Sequence, residues 1–341
     1  MRVFVGMSGG VDSSLTAALL VEQGYDVTGV YMKNWTEDLP GMRCPWADDL
    51  ADAKRVAVQL GIDFTVFDFE NVYREKVVQY MIDEYKLGRT PNPDIMCNQE
   101  VKFKLFLETA LEQGADMIAT GHYARTKNGK LLQAVDTNKD QTYFLYRVDE
   151  AALEKTLFPL GEFTKPEVRK MAEARGLFTA AKKDSQGICF VGQIGIREFL
   201  SQYVETKPGD IIDTATNKVI GRHDGAIFYT LGQRHGLDVG GGLPYYVVGK
   251  DMAKNEVYVS TNLNDERLWL HEIQLQAAHW ITSQPEEGQT YQVRIRHRAP
   301  LVNCVYKEGV LVLDDAERAI TPGQSAVVYQ NGICLGGGIV V

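Results

Sequence analysis

At 341 residues and a formal net charge of −9, the chain exceeds what one core usually organises and is too acidic for a general nucleic-acid binder. Two or three domains are expected, and any polyanion must find a local basic patch. The five cysteines, Cys44, Cys97, Cys189, Cys304 and Cys334, are odd in number and widely spaced, and no apolar signal segment follows Met1 and Arg2, so a cytoplasmic protein with reduced thiols is expected. No apolar run approaches the roughly 18 residues of a membrane helix, so no membrane association is expected.

Residues 1–7 read as a buried strand carrying Val3, Phe4 and Val5, and residues 13–23 as a helix with Leu15, Leu19 and Leu20 on one face. The run Ser8-Gly9-Gly10-Val11-Asp12-Ser13-Ser14 therefore lies at a strand-to-helix junction. Glycines let the backbone approach a ligand, successive N–H groups form an anion concavity, and three serine hydroxyls add neutral donors, so a phosphate is well served. No lysine follows the glycines, which separates the loop from the Walker A pattern. The loop resembles the signature of the ATP pyrophosphatase superfamily, whose members hold pyrophosphate while an acceptor atom is adenylated.

Further strands are expected at 26–32, 64–67 and 117–120, and helices at 47–60, 72–87 and 97–113. This alternation predicts an α/β fold with a doubly wound parallel sheet whose ligand site lies beyond the carboxyl ends of the strands, where Met32, Gly121 and His122 fall. The stretch from Arg125 to Leu131 has room only for a hairpin. Thr164-Lys165-Pro166-Glu167 is a capping box that starts a helix running to about residue 175. From Pro208 onward no long helical period returns. Tyr245 to Val259 and Ile273 to Val341 alternate apolar and polar residues, as short antiparallel strands do, which predicts a small β-rich central domain and a C-terminal β-barrel or sandwich. The expected divisions are 1–195, 196–265 and 266–341.

Two cysteines stand in chemically suggestive surroundings. Cys97 ends Thr90-Pro91-Asn92-Pro93-Asp94-Ile95-Met96-Cys97, where two prolines are expected to bar helix and to hold Asp94 and Cys97 at the approach to the helix beyond, a position that favours thiolate. Cys189 follows Lys182 and Lys183 in a glycine-containing segment, again favouring thiolate. Cys44, Cys304 and Cys334 read as small buried apolar residues. Arg294, Arg296, His297 and Arg298 form a basic cluster, and Lys165, Arg169, Lys170, Arg175, Lys182 and Lys183 form a second, so phosphate contacts are expected there.

The loop together with Tyr31-Met32-Lys33-Asn34-Trp35, Gly88-Arg89-Thr90-Pro91-Asn92-Pro93-Asp94, Thr120-Gly121-His122-Tyr123, Asn138 to Leu145, Lys183-Asp184-Ser185-Gln186-Gly187-Ile188-Cys189-Phe190 and Tyr229 to Arg234 resembles the bacterial tRNA-specific 2-thiouridylase family, in order and over nearly the whole chain. The resemblance implies an adenine nucleotide alpha hydrolase-like catalytic domain and a tRNA-contacting barrel. The implied reaction is ATP-dependent 2-thiolation of the wobble uridine in lysine, glutamate and glutamine tRNAs, releasing AMP and pyrophosphate. It places ATP on Gly6, Met7, Ser8, Gly9, Gly10, Val11, Asp12, Ser13, Met32 and Gly121, and the target base on Asn92, Pro93 and Asp94. Asp94 is implied as acid/base, Cys189 as the persulfide carrier and Cys97 as the second thiol. The implied tRNA contacts are His122, Lys139, Asp140, Gln141, Arg294, Ile295 and Gln324. Magnesium is expected with ATP, with Asp12 as one ligand. Sulfur would come from a cysteine desulfurase or a persulfide relay protein.

Two other readings fit parts of the sequence. An adenylating amide or amine ligase acting on a small metabolite would use the loop without needing Cys97 and Cys189. A nucleotide-responsive protein holding a metal or cluster on its cysteines is opposed by their spacing, since no two are separated by two residues.

Overall fold

The computed structural model describes residues 1–38, 44–183, 195–237, 239–240, 242 and 244–341. In chain order the first part contains β1 (Arg2–Gly6), α1 (Val11–Glu22), β2 (Asp26–Lys33), α2 (Trp46–Leu60), β3 (Asp63–Asp68), β4 (Met117–Ala119), the hairpin β5 (Arg125–Lys127) and β6 (Lys130–Leu132), and β7 (Thr156–Leu157). Its parallel sheet has the order β3-β2-β1-β4-β7. Val3, Phe4 and Val5 are buried, as suits a central parallel strand covered on both faces. On one face Val3 and Val5 pack with Ala17, Leu20, Val27 and Val56 from β2, α1 and α2. On the other, Phe4 packs with Val77, Met81, Val101 and Phe106. Because the order reverses at β1, the loops after β1 and β4 leave the sheet on opposite sides and open a crevice between them.

The helices on that second face depart from the expected regular form. The segment expected at 72–87 runs as Glu70–Tyr73, a π-helical turn Arg74–Val78, then Gln79–Lys86. The segment expected to begin at Cys97 begins instead at Pro93. Asn92 caps it by accepting from the Asp94 N–H at 3.2 Å, and Pro93 takes the first helical position, where a missing N–H costs nothing. Proline therefore starts this helix instead of barring it. A π-helical stretch, Cys97–Leu105, follows, before Phe106–Glu112 returns to α geometry. Cys97 thus lies one turn inside the helix and is buried.

The central part is the sheet β10 (Tyr246–Asp251), β11 (Glu256–Ser260), β8 (Gly209–Asp213) and β9 (Lys218–His223), in that order. Its middle pairing, β8 with β11, is parallel, which strand-by-strand alternation does not reveal. The last part comprises β12 (Trp269–Trp280), β13 (Thr290–Arg294), β14 (Val302–Lys307), β15 (Val310–Arg318), β16 (Ser325–Gln330) and β17 (Ile333–Val340). Pairing of β12 with β17, from Leu275 opposite Val340 to Trp280 opposite Gly336, closes these strands into an antiparallel barrel. Closure removes the open edges.

The barrel is joined to the first part by strand pairing and by a buried polar seam. The β6 strand of the expected hairpin extends β17, with Leu132 opposite Ile333 and Leu131 opposite Cys334. Arg294 Nη1 donates to Asp140 Oδ2 at 3.0 Å with both side chains buried, and Asp140 also accepts from Thr142 Oγ1 at 2.8 Å and the Ala134 N–H at 3.1 Å. Tyr143 donates its hydroxyl to the Ser325 carbonyl at 2.9 Å, and Gln324 Nε2 donates to the Thr90 carbonyl at 2.7 Å. Among the described residues no helix is long and apolar enough to cross a membrane.

Removing one member of a buried ion pair strands the other charge. Arg294→Ala is expected to lower the free energy of unfolding by about 3–5 kcal/mol in urea titration. The Asp140→Ala/Arg294→Ala double variant is expected to lose less than the sum of the single losses.

Candidate active site

The phosphate loop occupies the crevice between the ends of β1 and β4. Gly9 has φ +72°, and a Cβ there would lie 2.5 Å from the Asp49 carbonyl oxygen, so only glycine fits the turn. The Ser8 N–H donates to Ser13 Oγ at 3.2 Å, and Ser13 and Ser14 hydroxyls donate to the Gly10 carbonyl at 3.2 and 2.8 Å, which fixes the first turn of α1. Gly10 is the N-cap and makes no side-chain bond, leaving the helix N-terminus facing the crevice. Met7, Val11 and Ser13 are buried beneath the loop while Ser8 is exposed. From the neighbouring strand ends, Met32 Cε closes over Gly6, where an added Cβ would meet it at 2.9 Å. Gly121 approaches so near that its Cβ would lie 2.9 Å from the Ser13 nitrogen. The expected nucleotide residues Gly6 to Ser13, Met32 and Gly121 are therefore brought together.

Asp12 is held in a way its sequence context did not reveal. Lys165 Nζ donates to its two carboxylate oxygens at 2.7 and 2.8 Å, and the Tyr123 hydroxyl donates at 2.9 Å. Lys165, at the start of the Lys165–Ala174 helix, is itself buried, and its backbone N–H donates to Asp136 Oδ2 at 2.8 Å. The capping box that starts this helix is present, with the Thr164 N–H donating to Glu167 Oε2 at 2.7 Å. The loop that lacks a lysine of its own thus receives one from a distant helix. Beside it, Lys182 bridges Asp49 at 2.9 Å and Asp52 at 2.7 Å. Among the described residues no group of three or more histidines, cysteines and carboxylates could hold a metal. Asp12, expected as a magnesium ligand, has both oxygens bonded to Lys165. A magnesium ion that keeps its waters and takes mainly phosphate oxygens fits such a loop without an all-protein cage.

On the far side of the crevice, burial pushes the Asp94 carboxyl above the usual carboxylate range, while the ammonium of Lys102 pulls the other way. The same two influences hold His122 well below the usual histidine value, so its ring is neutral at physiological pH. His122 Nδ1 shares a 2.8 Å hydrogen bond with the Thr120 hydroxyl, and its ring packs against Phe103 and Phe158. Lys102 therefore links the Asp94 turn to the strand end that carries Gly121 and His122. Sequence reading missed it because the helix was expected to begin only at Cys97, which left Asp94 outside the helical stripe that its eight-residue spacing from Lys102 gives the two. Asn92 and Pro93 form the cap and first position of this turn. Cys189 lies outside the described residues.

The expected RNA contacts are placed mainly in the seam. Asp140 and Arg294 are paired with each other, Ile295 is buried in the barrel core, and Gln324 bonds Thr90. Gln141 is tied to Tyr123, accepting from its N–H at 2.8 Å, and Lys139 is half-buried beside Asp140. The expected basic helix is largely consumed internally. Beyond Lys165 and Lys182, Arg169 donates to the Ala180 carbonyl at 2.7 Å and Arg175 to Glu22 at 2.7 Å, leaving Lys170 and Lys183 exposed. In the other basic cluster Arg296 and Arg298 are exposed. Cys44, Cys304 and Cys334 are buried free thiols, and desolvation raises each above the ordinary thiol value, Cys304 to about 12. None has the electropositive, accessible setting of a reactive thiol.

Three family models match consecutive parts of the chain: the tRNA methyl transferase HUP domain over residues 1–193, the tRNA methyl transferase PRC-barrel domain over 197–261 and the aminomethyltransferase β-barrel domain over 270–340. The tRNA-specific 2-thiouridylase MnmA of Bacillus subtilis (strain 168) is 47% identical over 351 residues, covering 99% of this chain and 94% of that protein. The protein of the same name from Geobacillus thermodenitrificans (strain NG80-2) is 47% identical over 350 residues with the same coverage.

Because a methyl group at position 121 would push into the first turn of α1, Gly121→Ala is expected to weaken nucleotide binding by at least about tenfold in calorimetry. The unfolding midpoint is expected to fall as well, by the equivalent of about 1–3 kcal/mol, because the clash is with backbone that cannot give way cheaply.

Proposed function

The chain belongs to the tRNA-specific 2-thiouridylase family, and on that premise we propose that it uses ATP to activate the C2 oxygen of the wobble uridine in lysine, glutamate and glutamine tRNAs and then replaces that oxygen with sulfur. It is a tRNA-modifying sulfurtransferase that consumes ATP. The observation that carries the finer reading is that Gly121 touches the phosphate loop while its neighbour His122 shares the influence of Lys102 with Asp94, on a helical start that also bears the buried Cys97.

The crevice suits adenylation. The uridine C2 oxygen attacks the α-phosphorus of ATP, the bond to the bridging oxygen breaks, and pyrophosphate leaves into the N–H groups of the loop at the α1 N-terminus. Magnesium accompanies the phosphates and offsets their charge. Lys165 keeps the Asp12 carboxylate neutralised, so the anion is not repelled. Residues Asn92, Pro93 and Asp94 hold the base. The Asp94 carboxylate accepts the N3 proton as O2 bonds to phosphorus, and its raised pKa suits it to hold that proton and return it later.

Sulfur transfer then needs two thiols. The terminal sulfur of a Cys189 persulfide attacks C2, and AMP departs carrying the former C2 oxygen. The Cys97 thiolate attacks the Cys189 sulfur, which breaks the sulfur–sulfur bond, leaves 2-thiouridine on the tRNA and joins the two cysteines in a disulfide. A thiol reductant restores both, and a cysteine desulfurase or relay protein reloads Cys189. Residues 1–195 perform the chemistry, 196–265 form the connecting unit and 266–341 serve the tRNA, with His122, Lys139, Gln141 and Gln324 lining its approach and the Asp140–Arg294 pair fixing the barrel beside it.

The test combines full-length protein, ATP, magnesium, unmodified lysine tRNA and a persulfide donor, with the tRNA digest assayed for 2-thiouridine. Thiouridine is expected with the native chain and is expected to vanish in Cys189→Ala and Cys97→Ala, with tRNA binding retained. AMP formation with a small amine acceptor and no thiouridine would move the chain to the ligase reading. Asp94→Asn is expected to lower kcat by about 10²–10⁴. In the native protein kcat/KM is expected to fall on acidification through a pKa above the ordinary aspartate value of about 3.9, a limb that Asp94→Asn should remove.

A further inference from the structure

The segment Thr142–Leu145 packs against both the Pro93–Met96 turn and the Cys97–Leu105 stretch, so its side chains sit one layer from the candidate base pocket. The Phe144 carbonyl accepts from Asn98 Nδ2 at 3.0 Å, next to Cys97. Its ring meets the His297 ring with centroids 4.4 Å apart at 43°, and Tyr143 buttresses it edge-on at 5.5 Å. His297 comes from the chain that follows β13 of the barrel, so the two tilted rings bridge the seam. Both are only half-buried, and exposed Arg296 and Arg298 flank them in a chain of net charge −9.

Two buried polar atoms beside the rings, Asn98 Oδ1 and His297 Nδ1, have no hydrogen-bond partner among the described residues. Buried polar groups are seldom left so. Burial, with Arg298 next, lowers the His297 pKa to about 4, so its ring is neutral at physiological pH and presents an aromatic face without charge. A half-open aromatic pair with cations at its rim fits an unstacked nucleobase with its phosphates.

We propose that Phe144 and His297 form a stacking platform for the nucleotide that flanks the target uridine, holding it while the uridine enters the pocket of Asp94 and Cys97. The proposal rests on the 2-thiouridylase reading and adds the surface that keeps the anticodon splayed. Stacking on an aromatic ring tolerates any base, which suits a protein serving several tRNAs. Arg298, and those Arg296 donors that the Ala319 carbonyl leaves free, hold the neighbouring phosphates and contribute affinity without choosing the base.

The test places 2-aminopurine beside the target uridine in lysine tRNA and follows its fluorescence on binding to the full-length protein. Stacking on the platform is expected to quench the probe with the native chain. Phe144→Leu and His297→Leu are expected to lose the quench and to weaken tRNA binding roughly five- to 150-fold each, with KM for ATP and the unfolding midpoint unchanged. Phe144→Tyr, which keeps a ring, is expected to retain both quench and affinity, and so reports on stacking even if a leucine variant folds poorly. Quench and affinity that persist in both leucine variants would overturn the platform while native thiolation stands. A native protein that neither binds nor thiolates the tRNA would overturn the thiolation reading and the platform with it.

Discussion

The ion pair between Lys165 and Asp12 is the contact on which the nucleotide crevice depends. A carboxylate in the first turn of α1 is favourable for the helix dipole but would repel a polyphosphate approaching the same N–H groups. Lys165 cancels that charge, and Tyr123 fixes the carboxylate's orientation from the strand end that also delivers Gly121. One interaction thereby ties three elements to the loop: α1, the end of β4 and the helix starting at Lys165. The lysine that a Walker loop would carry in its own sequence is here supplied by the fold, from a helix far along the chain.

The opposite wall follows a different constraint. A helix that begins at Pro93 carries Asp94, Cys97, Asn98 and Lys102 in one continuous run at the spacing of a single helical face, and the Lys102 ammonium acts on the Asp94 carboxyl. Burial of this wall raises the Asp94 carboxyl and keeps His122 neutral, so both titrate away from their ordinary values in directions that suit proton exchange with a base. The barrel is held beside the first part by the β6–β17 pairing and the Asp140–Arg294 bond, so its position is set by strand pairing and buried polar contacts.

Much of this was legible in the sequence where the signal is local. The glycine-serine loop between an apolar run and a helix, the capping box at Thr164, the parallel strands and the hairpin between Arg125 and Leu131 are each specified by neighbouring residues. What the sequence concealed is long-range. Lys165, Arg169, Arg175 and Lys182 read as a basic cluster for phosphate contacts, yet each finds a carboxylate or carbonyl contributed by a distant segment or turn. Arg294 and Asp140 read as RNA contacts, yet they satisfy each other within the seam. The start at Pro93 was hidden because proline signals a break and a first helical position equally, and only the Asn92 cap distinguishes them. The parallel β8–β11 pairing depends on how the chain returns across the central unit, which alternation along a single strand does not encode.

The most direct measurement of the account is the fate of the uridine oxygen. Lysine tRNA carrying oxygen-18 at C2 of the target uridine would be turned over by the full-length protein with ATP, magnesium and a persulfide donor, and the released AMP weighed by mass spectrometry. Adenylation at the crevice requires AMP to carry one oxygen-18 for every 2-thiouridine formed. Unlabelled AMP accompanying 2-thiouridine would contradict it, because sulfur would then have entered without the C2 oxygen ever bonding to the α-phosphorus.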